Sequence, residues 1–285
     1  MKNYKKLGTL ALAALMLTGC GKETGIGKEI VKLDYQLDCL TQLKTGSIDV
    51  AIIDSVMAGY YTSKGEFSND LCVVDNLVLA TEQYGIATRK NDLAFMEKIN
   101  EGLVGTVTNG SMASIGTYFG VTDSLAISAS STYTKGATDN SWNKIVQSGN
   151  IVIGYTVFAP IAYEDATNNY SGNAFTGFDI ELARAVTAYL NTTYSTSLTV
   201  SFVEIDWDAK EALLTNGTID LIWNGLTITE ERKANMAISI PYMNNKQVAV
   251  VKKEDKAKFT TKDSLKDAVI GVEGGSAGED VALGK

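Results

Sequence analysis

The polar residues in the most regular setting stand at the ends of two similar apolar runs. Leu43-Lys44-Thr45-Gly46-Ser47-Ile48-Asp49-Val50-Ala51-Ile52-Ile53-Asp54 reads like Leu214-Thr215-Asn216-Gly217-Thr218-Ile219-Asp220-Leu221-Ile222-Trp223-Asn224-Gly225, 171 residues later. Each copy is a helix end, a glycine cap, an acid and an apolar strand. Open α/β sheets bind ligands beyond the carboxyl ends of their strands. Those ends carry Asp54 in one copy and Asn224-Gly225-Leu226-Thr227 in the other. The spacing is far too long for a solenoid. It suggests two similar lobes that face each other across a cleft.

Much chemistry is excluded. The chain has no histidine, which removes the Ser-His-Asp triad, the Cys-His dyad and every His-ligated metal site. The net charge is −8, with three lysines and no acid in the first 20 residues, so the remainder is near −11. Such a surface does not suit nucleic acid, which needs a basic face. With 285 residues, 45% hydrophobic and 20% charged, the body is globular and large enough for two lobes.

The first residues read as an address. Lys2, Lys5 and Lys6 precede an apolar run at 7–17, too short to span a bilayer. Leu17-Thr18-Gly19-Cys20 then resembles the bacterial lipobox, which makes 1–19 a lipoprotein signal peptide and Cys20 the lipidated first residue. A Sec signal with a chance cysteine, or a short anchor, is the other reading. Cys39 and Cys72 either pair outside the cell or are two buried thiols.

Periodicity supplies the elements around these ends. Strands are expected at 150–156, 198–205, 247–252, 84–88, 268–272 and near 30–33. Helices are expected at 178–190, 208–214 and 93–103. Another opens at Glu279 and Asp280 after Gly274-Gly275-Ser276-Ala277-Gly278. Residues 128–141, rich in Ser, Thr and Gly, read as a flexible linker.

Three segments together carry a family resemblance. Gly154-Tyr155-Thr156-Val157-Phe158-Ala159-Pro160, Gly177-Phe178-Asp179-Ile180-Glu181-Leu182-Ala183 and Gly225-Leu226-Thr227-Ile228-Thr229-Glu230-Glu231-Arg232 resemble polar amino-acid-binding proteins of ABC importers. Asp49 to Asp54 and Tyr84-Gly85-Ile86-Ala87-Thr88-Arg89-Lys90 also match. The resemblance implies an α/β, two-lobed, periplasmic-binding-protein type II fold with the ligand cleft between lobes. The order differs from the family, whose last part comes first here. A circular permutation explains it, with 28–83 plus 246–285 as the smaller lobe, 84–128 plus 149–243 as the larger, and 129–148 joining the family's usual ends. Two partial units of a longer tandem would explain it too.

The same resemblance implies a site. Arg232 would take the ligand carboxylate, helped by the Thr227 hydroxyl and by N–H groups of Ser276 and Ala277 at a helix N-terminus. Asp54 would accept from the ammonium beside the Gly225 carbonyl. Phe158 and Trp207 would sandwich the rest of the ligand. Tyr155 stands where some members that bind basic amino acids have an acid, and Glu273 is placed to face the ligand side chain. Residue by residue, other readings stay open: Arg232 as a solvated helix residue, Asp54 as a helix cap, Thr227 as a strand residue, Phe158 and Trp207 as core, Ser276 as a turn and cap. The expected partners are an amino acid, ABC permease subunits and the membrane through Cys20, with no cofactor, metal or catalytic residue. An enzyme on the same fold, of cyclohexadienyl dehydratase type with Glu273 as general acid, and a sensor ectodomain are the alternatives.

Overall fold

The computed structural model describes residues 25–64 and 66–285; the signal peptide expected at 1–19 and Cys20 lie outside the described residues. In chain order the first half contains β1 (Glu29–Leu33), α1 (Gln36–Thr45), β2 (Val50–Asp54), α2 (Ser55–Ser63), β3 (Leu71–Arg89), α3 (Leu93–Thr108), α4 (Ser111–Phe119) and α5 (Ser141–Ser148). Then come β4 (Asn150–Tyr155), β5 (Tyr163–Glu164), β6 (Phe175–Thr176), α6 (Phe178–Tyr194), β7 (Thr199–Glu204), α7 (Lys210–Thr215) and β8 (Leu221–Thr227). The chain ends with α8 (Glu230–Asn235), β9 (Met236–Ile238), β10 (Met243–Lys252), β11 (Val269–Glu273) and α9 (Ala277–Leu283).

The internal repeat has a structural counterpart. One large sheet runs β1-β11-β2-β10-β3-β8-β4-β7. On one side β1, β11 and β2 are parallel and β10 is antiparallel to β2. On the other β7, β4 and β8 are parallel and β3 is antiparallel to β8. The two antiparallel strands pair with each other at the centre. The repeated segments form β2 and β8, which hold equivalent places in the two halves. Before them α1 and α7 end, and Gly46 and Gly217 take left-handed conformations with φ 83° and 82°. That backbone favours glycine, which has no Cβ to clash.

The repeated acids act alike. Asp49 N donates to Val269 O (2.9 Å), and its carboxylate accepts from Val269 N (2.8 Å). Asp220 brackets Val152 in the same way, at 2.7 and 3.0 Å. Each acid thus pins the start of its strand to the parallel neighbour. Asp220 also pairs with Arg89 at 3.0 Å. Asp220→Ala is expected to cost about 1–3 kcal/mol, because the part-buried Val152 amide loses its acceptor and Arg89 its ion-pair partner. Asp49→Ala, on a more exposed site, should cost less; urea midpoints of the two variants check the order.

β2 is buried along its whole length, as parallel strands covered on both faces are. Helices α3, α4 and α6 pack around Phe95, Leu103, Ile115, Phe178, Leu182 and Val186 in the larger core cluster. The first and last described segments meet: β1 pairs with β11 in parallel, and Ile26 N donates to Ala282 O.

Two expectations need correction, and one helix was not anticipated. β3 spans 71–89 rather than 84–88, because β10 offers it a partner along that length, with register shifts around Val248. Residues 111–119 fold as α4. Residues 141–148 of the segment read as linker form α5, whose Ile145 is buried and whose Trp142 packs edge-on to Tyr194 at 5.5 Å. Cys39 and Cys72 are both free thiols.

Candidate functional site

One cavity forms where the parallel strands of the two halves end. Its walls are Gln36, just after β1; Asp54, the last residue of β2; Glu273, Ser276 and Ala277, at and after the end of β11; Thr156 and Phe158, after β4; Trp207, after β7; Asn224, Gly225 and Thr227, at the end of β8; and Arg232 of α8. The structure therefore brings all eight residues expected from the sequence to one place. The cavity is tight, ≈ 10 Å³, which is room for about one water centre.

Arg232 is not a solvated surface residue. It is 7% exposed, its amide is capped by the Thr229 hydroxyl, and its guanidinium donates to Thr227 O at 2.7 Å and Gly275 O at 3.1 Å. Burial pulls it below the ordinary arginine range, and the distant carboxylates of Asp280 and Glu211 oppose that.

Asp54 is 5% exposed and its side chain makes no cap bond to α2. The carboxylate instead accepts from Tyr84 Oη at 2.6 Å, Gln247 Nε2 at 3.2 Å, Gln36 Nε2 and Asn245 Nδ2. Asn245 and Gln247 also donate to Glu82, at 2.6 and 2.9 Å. Burial, and then the Glu82 charge, push the Asp54 carboxyl well above the usual carboxylate range. Two acids joined through shared amide donors behave in this way.

Gly225 holds φ at 65°, and a Cβ there would lie 2.8 Å from Phe158 Cε1. The missing side chain lets the Phe158 ring lie against the backbone at the cavity wall. The Gly225 amide donates to Asp179 Oδ2 at 2.9 Å, and Tyr242 Oη donates to the same oxygen at 2.7 Å. Asp179, in the helix-opening motif Gly177-Phe178-Asp179, thus fixes the turn that carries Gly225. Trp207 is 5% exposed and lies under the Lys210 ammonium, 5.0 Å from the ring centroid. The Ser276 hydroxyl accepts from Glu279 N at 3.2 Å and its amide donates to Glu273 O at 3.3 Å. Ser276 is therefore both a cap and a cavity residue, and its own N–H is already engaged.

Sequence reasoning gave no ligand role to three wall residues, Gln36, Thr156 and Asn224, and set the fourth, Glu273, toward the ligand side chain. Gln36 ties Asp54 down from both sides, since its Oε1 also accepts from Asp54 N at 3.0 Å. Asn224 donates to Thr156 Oγ1 at 3.0 Å, and its Oδ1 is buried with no partner among the described residues. Glu273 is 3% exposed; burial pushes its carboxyl up to about 8, against Gln36 and the Lys210 charge. Tyr155 packs on Phe175 at 4.5 Å and does not line the cavity. The signal that could have found the set is its place: each member stands at, or within three residues of, the carboxyl end of a parallel strand.

Residues 151–272 match the bacterial extracellular solute-binding proteins, family 3. The L-cystine-binding protein TcyJ of Escherichia coli K12 is 28% identical over 137 residues, 48% of this chain and 47% of that protein. A probable histidine-binding protein of Neisseria gonorrhoeae is 32% identical over 123 residues, 43% of this chain and 41% of that protein. A histidine-bound substrate-binding protein of an ABC uptake transporter from Streptococcus pneumoniae shares 38% identity over 36% of this chain and 37% of that one, with a TM-score of 0.27. The chain spans about half the length of the curated relatives it matches. Among the described residues, no helix is long and apolar enough to cross a membrane. The mixed α/β sheet agrees with the type II periplasmic-binding-protein fold, and the match to the bacterial extracellular solute-binding proteins, family 3, covers residues 151–272, less than half of the chain.

Proposed function

We propose that the protein captures a free amino acid outside the cytoplasm and hands it to an ABC importer. One juxtaposition carries this reading. A buried guanidinium, Arg232, and a buried carboxyl, Asp54, come from opposite halves of the sheet to the walls of one cavity, with Phe158 and Trp207 beside them. A zwitterion with its two charges close together needs such a pair. The α-carboxylate goes to Arg232, near the Thr227 hydroxyl, Ser276 and Ala277. The ammonium goes to Asp54, the Gly225 carbonyl and the free Asn224 Oδ1. The two halves, 28–83 with 246–285 and 84–128 with 149–243, act as lobes that close on the ligand. On this reading the chain order is a circular permutation, and 129–148 joins the family's usual ends. Relatives named for cystine and histidine binding support an amino acid as the ligand class.

The test is calorimetry of residues 20–285 with each of the 20 common amino acids, followed by product analysis. Saturable binding of one or a few, with ligand recovered unchanged, is the expected result. No binder among them would sink the reading. A converted ligand would favour the dehydratase-type alternative, for which the buried Glu273 is the available general acid.

The anchor belongs to the same proposal. Lipidation of Cys20 would hold the protein at the outer face of the membrane, and a diacylglyceryl group anchors stably. Cys20→Ala is expected to block lipoprotein processing and release most of the protein from membranes. Unchanged membrane partition in that variant would refute the anchor.

A further inference from the structure

Lys210 is a buried cation that the site, as read so far, leaves unused. It is the first residue of α7 and is 4% exposed. Its ammonium donates to Trp207 O at 3.0 Å and, across the cleft, to Gly275 O at 2.9 Å. Arg232 Nη2 donates to that same oxygen at 3.1 Å. Both cations come from the half built on β8, β4 and β7, whereas Gly275 belongs to the loop after β11 in the other half. Among the described residues, no carboxylate lies within 4.0 Å of either cation. Buried charges are ordinarily paired, and these two have only neutral carbonyls: Gly275 O shared between them, with Trp207 O for Lys210 and Thr227 O for Arg232.

The close approach is built into the backbone. Gly275 has φ +68°, and a Cβ there would stand 2.9 Å from Asp208 Oδ1, 3.0 Å from Asp208 Cα and 3.2 Å from Lys210 Nζ. Only a glycine brings this carbonyl between the two cations without displacing the turn that carries Lys210. Burial and then Arg232 pull the Lys210 ammonium down to about 8. An anion set between the cations would counter both effects.

We propose that Lys210 and Arg232 form a two-cation clamp across the cleft: it grips the Gly275 carbonyl to hold the lobes together, and a ligand carboxylate takes that carbonyl's place between the cations. The identity of the ligand rests on the amino-acid reading above; the grip on Gly275 does not. Lys210 thereby becomes a binding residue, and closure and carboxylate recognition share one pair of cations.

Small-angle scattering without ligand tests the grip. Lys210→Met is expected to give a larger radius of gyration than wild type, with an unchanged far-ultraviolet spectrum. Gly275→Ala, which keeps both cations and props the loop away, should expand the protein in the same way. Radii equal to wild type in both variants would overturn the grip. Calorimetry tests the carboxylate half, using the amino acid that most raises the wild-type melting temperature in a screen of the 20. Lys210→Met should weaken its binding by about tenfold or more, the effect of removing one partner of a desolvated charge contact. Affinity within twofold of wild type would overturn this half. If wild type binds none of the 20, the amino-acid reading fails and the carboxylate half fails with it, while the scattering result still decides the grip.

Discussion

Arg232→Ala is expected to weaken amino-acid binding by about 30-fold to several thousand-fold. The reason is burial. Removing one partner of a desolvated charge contact costs about 2–5 kcal/mol, and about 1.4 kcal/mol is tenfold in affinity. Stability should change little by comparison, since the guanidinium's protein partners are two carbonyl oxygens, Thr227 O and Gly275 O. Asp54→Ala should weaken binding to a similar degree, but it should also destabilise the fold. Tyr84, Gln36, Asn245 and Gln247 all donate to that carboxylate inside the protein. Donors left unsatisfied cost about 1–3 kcal/mol each before relaxation, so a net loss of about 2–5 kcal/mol is expected. The structure separates the two residues, because Asp54 is the acceptor at the centre of a buried network and Arg232 is not. Calorimetry and urea denaturation on both variants check the split. Wild-type affinity in Arg232→Ala would remove Arg232 from the site, and wild-type stability in Asp54→Ala would show that its network is not needed for folding.

What the sequence disclosed was local. Gly46 and Gly217 follow helix ends, Asp49 and Asp220 open strands, and Asp54 and Gly225 lie at or near their ends. Each of these facts is set by neighbours within a few residues, so the two halves of the sheet were legible. Arg232, Thr227 and Gly225 were legible because they share one short motif. Lys210 was not, because its role depends on Gly275, 65 residues away, as hydrogen-bond acceptor. Gln36 was hidden in the same way: it opens α1 and matters only because β2 brings Asp54 beside it. β3 was undercalled because Asp75-Asn76 and Thr81-Glu82-Gln83 interrupt its apolar pattern. Pairing with β10 decides its length, and pairing is not a property of the strand alone. The segment 141–148 showed the opposite effect, since its polar composition masked Trp142 and Ile145, which tie α5 to the body.

Stability is expected to fall as pH rises from about 5 to 8, against the usual direction for carboxylates in ion pairs. Burial pushes the Asp179 carboxyl up to about 7, although Tyr242 and the Gly225 amide donate to it. Burial pushes Glu273 up to about 8, and Asp54 is raised as well. In an unfolded chain such groups titrate near pH 4. Between pH 4 and the raised values the folded protein keeps protons that the unfolded chain has released. Unfolding then sheds protons, and stability declines with rising pH. The contribution is whole below about pH 4 and is lost through pH 7 for Asp179 and pH 8 for Glu273. Its slope is on the order of 1.4 kcal/mol per pH unit for each group in its window. Lys210 acts with the opposite sign, but only above about pH 8, where the folded protein has released a proton that an unfolded lysine still holds. Urea denaturation at pH 5, 6, 7 and 8 measures the slope. Asp179→Asn and Glu273→Gln replace each carboxyl with a neutral group of similar shape, so each should flatten the dependence, and both together more than either. Slopes parallel to wild type in both variants would mean that these two carboxyls are already ionised in the folded protein at pH 5, and that burial does not hold their protons.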